Sequence, residues 1–407
     1  MSNKKLFLVI VILCACMLFS CGKINDPLNS LNTNESYDKD LSGISPDDLI
    51  PFEGTSGKTV ISTPQLLFPY NDRLFYILDM LWDADLQTAY MYNITTGRAS
   101  PVCQDPVCTH KADSQCPFKD PFHILGVWDN LVYYCGSYSG YDSRKFPVYT
   151  YNLITMERIK LFDVLQTDNT NVLLCKQGDR LYYRNMYINE KAETIEYALE
   201  YFDLTTRRQH KLLIYDTQSI SVNDSYRLNE KVFKPMLVDD KNRIYFSEQQ
   251  TDGNGYTATY LLCSDDISEV LEPKRLKKLT DKCNSAYYRD GEWIYSKSGS
   301  ICAVSADTLE ERLIVSDAKE IFAYSTDCIY YQKQDPQYAE YVYRLNLETG
   351  VTEEFSVKSG AGLSTVPNWS VYYKGSLYTN VASENNEGTL LFLRYDLLNN
   401  RWCKLNE

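Results

Sequence analysis

One short segment of this chain gathers side chains able to bind a metal. It reads Val102-Cys103-Gln104-Asp105-Pro106-Val107-Cys108-Thr109-His110, then runs to Cys116-Pro117. Cys103, Cys108, His110 and Cys116 offer three thiolates and an imidazole, a set that a tetrahedral Zn²⁺ accepts. The spacing C-x4-C-x-H-x5-C matches no common zinc module, so a structural zinc ion is one of three readings. Disulfides are the second, because a secreted chain meets an oxidising setting. Thiols left reduced are the third. Either crosslink would staple a loop too polar to fold by itself. Cys108 and His110 are two apart and share a face on an extended chain. A Cys–His nucleophile also needs hydrogen-bond reach and an exposed, acidic thiol, so a catalytic pair is not the expectation here.

Little else in the chain carries a recognisable chemistry. There are three histidines, His110, His123 and His210, and no H-E-x-x-H. The G-x-S-x-G elbow, the phosphate-binding G-x-x-x-x-G-K-[ST] loop and the G-x-G-x-x-G turn are all missing from the sequence. Asp252-Gly253-Asn254-Gly255 lacks the remaining ligands of a calcium loop and reads as a plain Gly-rich connection. Carboxylates are plentiful, but a glycosidase pair is defined by its separation in space, which the sequence does not give. Cys135, Cys175, Cys263, Cys283, Cys302, Cys328 and Cys403 are scattered through apolar stretches. They read as small core residues.

The N-terminus has its own chemistry. Lys4 and Lys5 precede a mostly apolar run from Leu6 to Phe19, short for a membrane span. The run ends in Leu18-Phe19-Ser20-Cys21-Gly22. This resembles the bacterial lipobox, with Phe19 bulkier than the usual occupant. The resemblance implies that Cys21 Sγ receives a diacylglycerol and that residues 1–20 are removed. Two acyl chains anchor stably where one does not. Residues 21–60 are rich in Asn, Ser, Asp, Gly and Pro and read as a flexible tether. The expected location is therefore the outer face of the cell membrane. The formal charge of −13 argues against nucleic acid as a partner, since its phosphates ask for a positive surface.

From residue 64 to 407 one pattern recurs, and it must position whatever chemistry the chain has. A short apolar strand is followed by a turn and then by a second strand such as Leu181-Tyr182-Tyr183 or Ile329-Tyr330-Tyr331. A polar loop leads to a third strand such as Val342-Tyr343-Arg344-Leu345-Asn346, then a Thr/Asn/Gly turn and a fourth strand. The 34 tyrosines suit pleated, half-buried surfaces. Seven units of about 49 residues start near 64, 121, 171, 232, 284, 319 and 367. Four short strands in 40–50 residues is the size of a propeller blade. The expectation is an all-β propeller of seven four-stranded blades, six or eight being compatible with the same length. It should close blade against blade.

Lipobox, polar tether and repeated Leu-Tyr-Tyr and Tyr-Arg-Tyr-Asp-Leu units together resemble the propeller-bearing lipoproteins of Gram-positive anaerobes. They are also similar to extracellular propeller repeats of the TolB and low-density-lipoprotein-receptor type. The resemblance speaks to architecture and says little of function. In such a wheel the loops after the second and fourth strands open on one face. The long loops at 79–87, 137–146, 185–196, 248–257 and 333–340 would gather there. Trp82, Tyr138, Tyr141, Tyr256 and Tyr338 on these loops are the candidate ligand residues, since rings beside polar groups suit a sugar or peptide. The expectation is a tethered propeller that binds a protein, peptide or glycan and catalyses nothing. The alternatives are an extracellular enzyme on the same scaffold, such as a polysaccharide lyase or glycosidase, and a scaffold for envelope assembly.

Overall fold

The structure is a computed structural model. It describes residues 67–404 except 79–87, 109–115, 119–122, 137–144, 166–173, 220–231, 252–256, 267–276, 336–340, 357–369, 383–389, 397–400 and a few single positions. Cys21 and the residues 1–60 of signal and tether therefore lie outside the described residues.

The second strand of each repeat explains the architecture. Successive side chains of a strand point to opposite faces, so two adjacent rings serve two different neighbours. Tyr134 packs back into a cluster with Phe75, Met91 and Phe118, while Tyr133 packs forward with Phe162, Leu181 and Phe202. One repeat on, Tyr183 joins Tyr133 and Tyr182 joins Ile244 and Phe246. The scheme continues through Phe246 and Tyr245, Tyr295 and Ile294, and Tyr331 and Tyr330. The last cluster brings Val371, Tyr373 and Tyr378 against Leu74 and Tyr92, so the final repeat packs on the first. The wheel is closed by side chains.

The described strands form seven four-stranded antiparallel sheets, each made of four consecutive strands. They are blades 1 to 7, spanning residues 67–101, 123–165, 175–219, 232–278, 286–315, 320–356 and 370–404. The first and the last blade each keep their own four strands, so closure relies on packing and not on an exchanged strand. Polar links between neighbouring turns add to it on one face. Tyr70 Oη accepts from the Asn130 N–H at 2.9 Å. Lys176 meets Asp129 at 3.0 Å and Arg289 meets Glu348 at 3.1 Å. Lys374 of blade 7 pairs with Asp72 of blade 1. Such exposed pairs contribute about 1 kcal/mol or less each, so they orient the seams more than they hold them.

The Asn/Asp-Leu ending of the third strands has a geometric reason. Asn152 Oδ1 accepts from the N–H groups of Ile154 and Thr155 at 2.8 and 3.0 Å. Asn93, Asp203 and Asn346 do the same for the residues two and three further on. The next N–H, that of Leu153, Leu204 or Leu347, donates to a carbonyl in the turn between first and second strands. The turn closes through a residue at positive φ: Met156 (59°), Arg207 (57°) or Gly350 (70°). One Asx side chain thus ties both turns of a blade together.

The long-loop face differs from its expected outline. Residues 185–196 are a β-hairpin, with the second strand of blade 3 running Arg180–Asn189 and the third Thr194–Asp203. Residues 248–251 and 257 are likewise strand, at the ends of Arg243–Thr251 and Thr257–Asp266, and 252–256 lie outside the described residues. Polar side chains in these stretches resemble a loop in sequence, but they alternate along extended backbone. Trp82, Tyr138, Tyr141, Tyr256 and Tyr338 lie outside the described residues.

If the Asx side chain holds the turn, Asn152→Ala should lower stability by about 1 kcal/mol, in line with the loss of other side-chain caps on backbone N–H groups. Urea unfolding reads this, with Glu157→Ala in the same turn as the control. Equal midpoints for both variants would refute the role given to Asn152.

Candidate metal centre

The three cysteines of the 102–117 segment meet at the seam between blades 1 and 2. After the last strand of blade 1, Arg98–Pro101, the Val102 N–H still donates to the Ala89 carbonyl at 2.8 Å. This fixes Cys103 against the sheet, where it is buried. Asp105 then turns the chain. Its Oδ1 accepts from Val107 N–H at 3.0 Å and its carbonyl from Cys108 N–H at 3.1 Å. Pro106, with its φ preset, suits that turn, and Cys108 returns beside Cys103.

Cys116 arrives from the other side of the segment. The Phe118 ring is fully buried and meets Tyr134 and Tyr151 at centroid distances of 4.8 and 5.1 Å. Tyr134 Oη donates to the Pro117 carbonyl at 3.1 Å. These contacts clamp Cys116-Pro117-Phe118 into the seam. The sulfur atoms of Cys103, Cys108 and Cys116 all lie within 4.8 Å of one another. Sulfurs bound at 2.3 Å around one tetrahedral ion stand about 3.8 Å apart, so a small contraction would bring these three into a coordination sphere. Cys103 and Cys116 are buried and Cys108 is half-buried.

The electrostatics match a ligand set. The Cys103 thiol hydrogen-bonds to Cys116 and holds its pKa below the ordinary thiol value; the Phe118 N–H, 3.5 Å from Cys116 Sγ, helps against the opposing effect of burial. Elsewhere burial prevails: the thiols of Cys135, Cys175 and Cys283 are pushed up to about 12, against backbone hydrogen bonds at the first two. Those cysteines and Cys263 and Cys302 are buried core residues, as their apolar settings suggested. All nine described cysteines are thiols.

His110 lies outside the described residues. His210 stacks on Tyr201 at 4.7 Å, in blade 3. Sequence reasoning found the three sulfurs but not the residues that support them. Asp105 and Pro106 are a readable turn signal. Tyr134 and Tyr151 belong to another blade, and nothing in the spacing points to them.

No described protein family and no curated protein sequence matches the chain. Among solved structures, the body resembles a puromycin hydrolase with a TM-score of 0.53 and 10% identity, covering 86% of this chain and 53% of that one. It resembles a prolyl endopeptidase with a TM-score of 0.54 and 10% identity, covering 85% and 49%. The β-propeller domain of the Trilobed protease from Pyrococcus furiosus gives a TM-score of 0.47 and 9% identity over 86% and 98%. The chain spans about half the length of the first two proteins, and at this identity the likeness is one of fold. Two hydrolytic enzymes share this frame, so the expectation of a body that catalyses nothing has no ground in the fold and is withdrawn. The frame is an all-β propeller of four-stranded blades, with a three-cysteine cluster able to hold a metal at one seam.

Proposed function

We propose that this protein is a lipid-anchored, extracytoplasmic enzyme that cleaves a polysaccharide on the long-loop face of its propeller. The observation that carries the catalytic reading is the frame shared with two hydrolytic enzymes over 85–86% of the chain. The absence of a G-x-S-x-G elbow from the sequence turns the chemistry away from an elbow-borne serine. Carboxylate-assisted cleavage of a glycan, by hydrolysis or by elimination beside a uronate, is the reaction class that the abundant acids can serve. The test is direct. The purified mature body is incubated with uronate-containing polysaccharides, neutral polysaccharides and peptides, and new reducing ends, unsaturated products and new amines are read. Turnover of a polysaccharide is expected. Ligand binding with no turnover of any substrate would sink the reading.

The anchor is Cys21. Growth with a labelled fatty acid should label the protein, and Cys21→Ala should lose both label and membrane association. A labelled Cys21→Ala protein would remove Cys21 from that role.

The metal we assign to Cys103, Cys108, His110 and Cys116 is zinc in a structural, four-coordinate site. His110 is two residues from Cys108, close enough along the chain to supply the fourth ligand. Structural zinc is bound by this donor class and adds its binding energy to folding. Elemental analysis should find about one zinc per chain, and chelation should lower the melting temperature. Cys116→Ser should lose the ion. Metal-free protein with the three cysteines in disulfides would overturn the assignment.

A further inference from the structure

Blades 3 and 4 outgrow the rest of the wheel. The second strands of blades 5 and 6 have 6 and 5 residues, while that of blade 3 has 10. Four extra residues add about 13 Å of strand. Among the described residues, the contact of blade 3 with blade 2 reaches partway up this extension. Phe162 of blade 2 stacks on Tyr183 and Phe202 at 4.5 and 4.8 Å. One rung higher, Asn185 Oδ1 accepts from the N–H of Leu165, the last residue of the fourth strand of blade 2. Tyr187 is the next residue on the same face, and it stands above that edge.

At this step the surface carries an open depression of about 470 Å³ lined by Tyr187, Ile188, Asn189, Lys191, Glu196 and Lys211. Behind its lining residues Tyr187 and Lys211 lies a buried carboxylate. Glu200 is 1% exposed and accepts from Tyr183 Oη at 3.0 Å, Asn185 Nδ2 at 2.9 Å and Tyr187 Oη. All three donors are neutral, and no ion pair among the described residues includes Glu200. Burying a carboxylate with neutral donors alone is costly. Lys211 sits directly across the ladder from Glu200, and its ammonium lies 3.8 Å from the Tyr187 ring centroid. Burial and the Glu200 charge raise the Tyr187 pKa, so its hydroxyl remains a donor to Glu200 and its ring is fixed beneath the ammonium.

We infer that this step is a binding subsite for an acidic sugar unit. The inference rests on the reading of the protein as a polysaccharide-cleaving enzyme. Lys191 and Lys211 offer two cations to one carboxylate, and Glu196 can accept from ring hydroxyls. Tyr187 supplies an apolar surface of the kind a sugar ring asks for. A net charge of −13 disfavours anions over most of the surface, so a local pair of lysines is what selection of an acidic unit requires.

Calorimetry with a uronic-acid tetrasaccharide, its methyl ester and a neutral tetrasaccharide of the same linkage tests this. The acid should bind, and the ester and neutral forms should bind roughly tenfold more weakly, the effect of losing one charge-assisted hydrogen bond. Lys211→Gln and Lys191→Gln should each weaken the acid by a similar factor and leave the melting temperature unchanged. Equal affinity for acid and ester, unchanged affinity in both variants, or a preference for a peptide carboxylate would overturn the subsite. Acid-selective binding without turnover would instead retain the subsite and sink the enzymatic reading. Turnover with unselective binding would do the reverse.

Discussion

The structure depends on adjacent aromatic side chains of one strand facing opposite ways. A sheet of four short strands cannot bury both of its faces alone. When two neighbouring residues of its second strand are both large and apolar, each face demands a partner. Tyr133 and Tyr134 meet that demand on the two sides of blade 2, and Tyr182 and Tyr183 on the two sides of blade 3. Repetition of the same pair around the chain leaves no face uncovered only when the last sheet reaches the first, and Val371 and Tyr378 reach Leu74. Fully burying one such side chain contributes roughly 1.5–3 kcal/mol, well above an exposed ion pair. The polar links between turns therefore set angles within a wheel that the rings hold.

Both candidate sites arise where this regular packing is interrupted. At the first seam the chain leaves the fourth strand of blade 1 after Pro101, and the cluster of Phe118, Tyr134 and Tyr151 takes in the segment at Cys116–Phe118. The three sulfurs meet because one end of the excursion is pinned by a ladder bond and the other by ring packing. At blade 3 the strands continue past Leu165, the last described residue of the fourth strand of blade 2, and the sheet face there turns polar. Asn185, Tyr187 and Glu200 lie on that face and exchange hydrogen bonds where lower rungs carry stacked rings. A wheel whose function resides in such departures can keep its frame while its chemistry varies, which is consistent with sharing a fold at 10% identity with enzymes of other sequence.

The repeat was legible in the sequence because its causes are local. Alternation along a strand has a period of two, and the Asx turn needs a side-chain oxygen only two or three residues from the N–H groups that it accepts from. Leu-Tyr-Tyr followed by Asn-Leu-x-Thr is enough to announce a four-stranded blade. The hairpin at 185–196 was not legible. Its polar residues on one face look like loop composition, and only the height of the neighbouring blade explains why they stand on a strand.

Sequence alone determined the class of the fold, the four-strand unit and the gathering of thiols in one segment, since each follows from residues close together in the chain. Tertiary structure decided which sulfurs meet, which cysteines stay inert in the core and where a buried carboxylate sits on a polar sheet face. Those outcomes depend on contacts between blades, such as Tyr134 with Phe118 and Leu165 with Asn185. The spacing of residues along one strand holds no record of where the adjacent blade ends.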